Sequence, residues 1–291
     1  IDGTNITINA ITATDGISAV ASNDGAIASN GVFASSGSSI ELIAAGAIAV
    51  LGNVTNSSGE VVISGNTDAD GDDEDVTISA NLDAGGDVVV TVQGAAGNIN
   101  IRADQDNRGS TTLTGPVSLN EDLAAADDIT VNGAIVIDGD NVPADPVRLI
   151  TAGGSLDING DITVTDGGVV ENLTLTGTEE VVVENIGVGS PAGALTIVTD
   201  QAGLGGDIEA ASVDTTGAGM TTLHTGVDID VTGAAGIDLG HIDGAESLTL
   251  TSTDADGDVT LRNMDIAGAT IDDANDVTLS GQAVTTGDFI V

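Results

Sequence analysis

From one end of the chain to the other, a short phrase recurs: a Gly, Asn or Asp, then an aliphatic residue, a polar one and a second aliphatic. Asn5-Ile-Thr-Ile, Asp75-Val-Thr-Ile, Asn98-Ile-Asn-Ile, Asp161-Ile-Thr-Val, Ser247-Leu-Thr-Leu and Asp276-Val-Thr-Leu are instances. Alternation with a period of two marks a half-buried strand, because successive side chains leave a strand on opposite faces. The Gly, Asn and Asp residues between phrases predict tight turns at positions of positive φ. The pattern therefore predicts many short strands and no helices.

The spacing of the phrases narrows the fold. Val88 to Ile99, Ile162 to Leu173, Ile237 to Leu248 and Leu248 to Val259 are each 11 residues apart, and Val76 to Val88 and Val277 to Phe289 are 12. Short strands at this pitch suit either tandem antiparallel β-sandwich domains or a solenoid whose coils each hold two or three strands. A sandwich fills a wide core with Trp and Tyr. This chain has neither, and its only aromatics are Phe33 and Phe289. A solenoid has a narrow, uniform section that rows of Val, Ile, Leu and Ala fill. The expected fold is all-β, an elongated parallel β-helix (β-solenoid), with tandem antiparallel β-sandwich domains as the alternative.

Composition hardly changes along the chain, so residues 1–291 read as a single elongated repeat domain. Residues 1–52, rich in Ala and Ser, predict thinner coils. The segment Asn141-Val-Pro-Ala-Asp-Pro-Val-Arg, with two of the four prolines, predicts a loop outside the ladder. The chain starts at Ile1 with no methionine or leader and reads as part of a longer chain or assembly.

Charge sets the partners. The 291 residues carry 46 Asp plus Glu against 4 Lys plus Arg, a formal net charge of -42. Phosphate recognition depends on Arg and Lys, so nucleic acid is excluded as a partner, and an anionic membrane surface is disfavoured on the same ground. With 41% apolar residues there is material for a core. Self-repulsion on this scale needs screening cations, which points to a saline or calcium-rich setting or to a halophile's cytoplasm. Cysteine is absent, so disulfides and thiolate metal sites play no part. The longest apolar run, Leu42 to Leu51, is broken by Gly46 and too short for a membrane span.

Gly160-Asp-Ile-Thr-Val-Thr, Asn172-Leu-Thr-Leu-Thr-Gly and Gly257-Asp-Val-Thr-Leu resemble the repeats of filamentous haemagglutinin-type and other large bacterial surface adhesins. The resemblance is one of repeat style and covers the chain from about residue 59 onward. It implies a β-helical rod and a structural role in attachment, aggregation or matrix building. Members of that group often carry more Lys and Asn than this lysine-free chain. The resemblance and the acidic composition together give the expectation of an extracellular structural protein, a rod of a cell-surface adhesin, sheath or filament. An S-layer or matrix fibre subunit that binds calcium is the alternative. Self-association or neighbouring repeats, and cell-surface or matrix components, are the expected partners.

The most specific local signal is a hexapeptide that occurs twice, Thr67-Asp-Ala-Asp-Gly-Asp and Thr253-Asp-Ala-Asp-Gly-Asp. Carboxylates at alternate positions around a glycine turn can converge on one hard cation, and Ca²⁺ accepts several oxygens in flexible geometry. The candidate metal ligands are Asp68, Asp70, Asp72, Asp73 and Asp75 in the first copy and Asp254, Asp256 and Asp258 in the second, with Ca²⁺ as the cofactor. A solvated Asp/Gly turn is the plainer reading of both.

His224 and His241 lack companions at metal-ligand spacing, and Glu179 and Glu180, as neighbours on a strand, point to opposite faces. β-Helix folds also host polysaccharide-active enzymes, but those sites use basic residues and aromatic platforms that are scarce here. The chain is therefore read as a non-enzyme. Thr pairs such as Thr163/Thr165, Thr174/Thr176 and Thr249/Thr251 bring ice binding to mind, but their irregular spacing favours ordinary strand threonines.

Overall fold

Val, Ile and Thr lose little by adopting the extended backbone, and alternating them puts one apolar edge on each short strand. A strand of three to six residues cannot bury that edge alone. In a computed structural model of the chain, such strands stack in parallel, coil upon coil, into a β-solenoid. The structure describes residues 2–68, 74–94, 97–137, 147–164, 172–186, 195–199, 207–214, 228–233, 236–243, 247–252, 258–266, 269–272, 277–279, 283–285 and 289–290. Every pairing among them is parallel, which excludes antiparallel sandwiches. The described residues form no helix, so none is long and apolar enough to cross a membrane.

The chain divides into two compact units, Ile1–Ile135 and Val136–Val291. In the first, each coil has three strands, as in Glu60–Gly65, Val76–Ile78 and Leu82–Ala84, followed by Val88–Val92, Ile99–Ile101 and Gln105–Asn107. Three faces result. On the first, Ile17, Ile40, Val61, Val88, Thr111 and Ile129 stand in register. On the second, Ile6, Ile27, Ile48, Val76, Ile99 and Val117 do so. On the third, Ile11, Phe33, Val54 and Leu82 form a row. Nearly all of these side chains are buried, each adding about 1.5–3 kcal/mol of transfer free energy.

The 11- and 12-residue intervals thus separate strands within one coil. Val88 stacks on Val61 and Thr111, while Ile99 stacks on Val76 and Val117. On the first face the coil length is the register interval, 23, 21, 27, 23 and 18 residues in turn. Coils within residues 1–52 are no shorter than later ones. They differ in side-chain size, with Ala19, Ala21 and Ala44 buried among Phe33, Ile40 and Leu42.

In the second unit the coil simplifies from three strands to two. Leu156–Ile158 and Ile162–Val164 both pair with the single strand Glu180–Ile186. From there, long strands of one ladder, Asp207–Asp214, Gly236–Asp243 and Asp258–Ile266, alternate with Leu195–Thr199, Asp228–Gly233 and Ser247–Ser252 of the other. Val259, Leu261 and Leu250 are buried in these ladders. Of the proline-rich segment, residues 141–146 lie outside the described residues, while Val147 and Arg148 open the strand Val147–Ala152.

The corners depart from the turn chemistry predicted above. Among described non-glycine residues only Asn23, Asp24 and Asn66 have positive φ. The Asn and Asp residues ahead of the strands act through their side chains, which extend the ladder across the corner to the next coil. Asn5 Oδ1 accepts the Ala26 N–H at 2.9 Å, Asp75 Oδ1 that of Asn98 at 2.9 Å, and Asn81 Oδ1 that of Asp106 at 3.2 Å. Most corner glycines are there for room. A Cβ on Gly52 would fall inside the Gly31 carbonyl, and one on Gly59 inside that of Ser38.

Candidate functional site

The first acidic hexapeptide belongs to a loop that one coil extrudes. Ten residues, 66–75, link Glu60–Gly65 to Val76–Ile78, whereas three residues, 45–47, make the same link one coil earlier. The flanking strands keep register with both neighbouring coils, so the extra length goes outward.

Both ends of the loop are fixed. Buried Asn66, in the left-handed region at φ 49, donates its N–H to Gly46 O at 3.2 Å. Thr67 donates its N–H at 3.2 Å and its Oγ1–H at 3.0 Å to Ala44 O. At the far end, Asp75 Oδ1 accepts the Asn98 N–H and Oδ2 accepts from Asn100 Nδ2, each at 2.9 Å. Half-buried Glu74 lies over Gly46, where a Cβ would come within 3.1 Å of its Oε1. Asp68 is exposed.

Of the candidate ligands, Asp70, Asp72 and Asp73 lie outside the described residues, as do Asp254 and Asp256 of the second copy. Asp258 opens the strand Asp258–Ile266. The described residues bring no three His, Asp or Glu side chains together in a metal-holding group. The two hexapeptides occupy different kinds of link. The first joins two strands of one large ladder, and the second leads from Ser247–Ser252, in the nine-stranded sheet, into Asp258–Ile266. Their identical sequences thus serve non-equivalent corners. His224 lies outside the described residues, and His241 lies in the strand Gly236–Asp243, in register with Ser212 and Asn263.

Sequence reading overlooked a set of polar residues that point inward. At the end of the third-face strands, Ser35, Asn56 and Asn107 are buried where Ala84 and Ala125 stand in other coils. Asn56 Nδ2 donates to Glu60 O at 3.0 Å and its Oδ1 accepts the Gly59 N–H at 3.2 Å; Asn107 Nδ2 donates to Ser110 O at 2.7 Å. Each amide ties the corner that leads to the next strand. A polar residue in the second aliphatic place of a phrase, followed by Ser/Arg and Gly, as in Asn56-Ser-Ser-Gly and Asn107-Arg-Gly-Ser, is the sequence signal.

Gln105, buried one strand position before, replaces a whole rung. The third-face ladder ends at Leu82–Ala84 and a new sheet begins at Gln105–Asn107. Across the break, Leu82 N donates to Gln105 Oε1 at 3.0 Å and Ala84 N to Asn107 Oδ1 at 3.1 Å. A small interior void adjoins the break, lined by Leu82, Val90, Gln105, Asn107, Thr111 and Leu113 among others. One ion pair marks the surface of the same corner, Arg108 Nε to Asp83 Oδ1 at 2.6 Å. No family model, curated protein or solved structure matches the chain.

Proposed function

We propose that the chain is a structural scaffold, a stretch of β-solenoid from an extracellular adhesin, sheath or filament of a cell surface. The observation that carries this reading is the mode of stacking. Each coil pairs only with the coils beside it, through in-register rows such as Ile40, Val61 and Val88. A structure of this kind is extended by adding coils, without redesign of a common core. Outward positions meanwhile stay free to carry the acidic surface, which keeps neighbouring copies apart until cations screen them.

The extruded loop at 66–75 favours one variant of the same reading, a layer or matrix-fibre subunit whose copies are bridged by Ca²⁺. The loop adds acids at a corner where the neighbouring coil makes the link with three residues, 45–47. Electron microscopy of the native assembly tests the reading. Filaments, sheaths or lattices containing the chain are the expected result, and a discrete monomer that turns over a glycan would overturn it.

A further inference from the structure

Two rows in the second unit are dominated by threonine. Backbone register sets Leu149, Thr174, Thr196, Asp230, Thr249 and Thr270 side by side, in that order. Two residues along each strand, Thr151, Thr176, Val198, Thr232, Thr251 and Asp272 are aligned in the same way. Eight of these twelve positions are threonine. In sequence the first row has intervals of 25, 22, 34, 19 and 21 residues, so the spacing looks irregular. The coil links absorb that variation and the strands do not, so the expectation of an irregular threonine pattern is corrected.

The rows occupy the positions that alternate with the core. Ile150, Leu175, Ile197, Leu250 and Ile271, which share one row between them, are buried. Leu149 and Thr270 are exposed, and Thr151, Thr174 and Thr176 are half-buried. Strand preference alone would spread threonine over every outward row. On the other ladder of this unit, the aligned positions are Asp157, Val182, Glu209, Asp238, Thr260 and Thr278, with three acids and two threonines. Threonine is thus concentrated on one sheet, and all but two of this chain's acids are kept off its two rows.

Parallel strands repeat at about 4.8 Å, and alternate residues along a strand at about 6.6 Å. Threonine is stiff at χ1, so each position offers a hydroxyl and a methyl in a narrow range of orientations. Liquid water has no lattice to match such an array, but ice does. Tetrahedral oxygens about 2.75 Å apart place next-nearest oxygens about 4.5 Å apart, with a perpendicular repeat of about 7.3 Å. A sheet holds its side chains in place before binding, so little ordering cost opposes contact with a crystal. We propose that the threonine face of the second unit binds ice.

The test uses the full chain in ice-affinity partitioning, thermal-hysteresis and recrystallisation assays. The expected result is incorporation into a growing ice front, with hysteresis that rises with concentration. Thr174→Tyr and Thr249→Tyr should abolish it, while Thr278→Tyr on the other ladder leaves it unchanged. Asp230→Thr with Asp272→Thr, which removes both charges from the rows, should raise hysteresis above the starting protein; this gain does not depend on whether the tyrosine variants fold. Exclusion from ice, or full activity in tyrosine variants that keep their β spectrum, overturns the proposal. Neither result bears on the scaffold reading, which rests on coil stacking.

Discussion

Gln105 Oε1 accepts the backbone N–H of Leu82 at 3.0 Å, so a side-chain amide takes the place of a neighbouring strand's carbonyl. The other end of the amide is occupied too, since Gln105 Nε2 donates to Ala103 O at 2.7 Å and Ala80 O at 3.2 Å. Three backbone groups at the break in the third-face ladder depend on this one residue. Elsewhere on that face, backbone pairs with backbone.

Gln105→Leu should therefore destabilise the chain despite adding an apolar side chain to an apolar interior. It leaves the Leu82 N–H without its acceptor, at a cost of about 1–3 kcal/mol for a buried unsatisfied group. Urea denaturation measures this directly. Unchanged or greater stability would mean that the break closes by backbone pairing once the amide is gone.

Ser29 offers the opposite case. Its Oγ is buried with no hydrogen-bond partner, in a row between Ile8 and Val50. Ser29→Val removes the unpaired hydroxyl and continues the aliphatic row, and a gain of about 0.5–2 kcal/mol is expected. A loss of melting temperature in this variant would show that the row has no room for the second methyl group.

Charge inside a row is the severe case. Val259 is fully buried, between Ile237 and Val277 in register. Val259→Asp sets an unpaired carboxylate there, with an expected loss above about 3 kcal/mol or failure to fold. Circular dichroism at neutral pH reads the outcome, and a cooperative transition close to the parent's would place residue 259 outside the core.

The acidic loop separates corner chemistry from ion chemistry. Asp75→Ala loses two hydrogen bonds, to Asn98 N and Asn100 Nδ2, and should lower stability by about 1–3 kcal/mol even in a chelator. Asp68→Asn, at an exposed position, should leave that baseline alone. If the loop binds Ca²⁺, millimolar Ca²⁺ raises the parent's melting temperature more than sodium of equal ionic strength does, and Asp68→Asn reduces the difference. Equal shifts in the two salts would leave screening as the only effect of calcium.

Gly52→Val probes why the corners are glycine. Its Cβ would fall inside the carbonyl of Gly31 in the coil before, so the backbone of one coil must move, and stability should fall by about 1–3 kcal/mol. Wild-type melting in this variant would mean that the corner opens freely.

The alternation of aliphatic and polar residues was enough to determine strands and their buried edges, because a period of two is a local property of the extended backbone. Val76, Val88, Ile99 and Val259 are inward as their phrases imply. The absence of Trp and Tyr likewise pointed to a narrow section filled by rows. Which phrase stacks on which was decided only in three dimensions. Val88 and Ile99, 11 apart, lie in one coil, while Val76 and Ile99, 23 apart, are partners. The third strand of the coil hid in phrases such as Leu82-Asp-Ala and Gln105-Asp-Asn, whose inward residues are small or amidic. The threonine rows were scattered by link lengths that register removes. Corner Asp and Asn residues looked like turn formers, although the groups they satisfy, such as the N–H of Asn98 beside Asp75, belong to the next coil. Hydrogen bonds and register act between residues about 20 positions apart, and a local pattern holds no information about them.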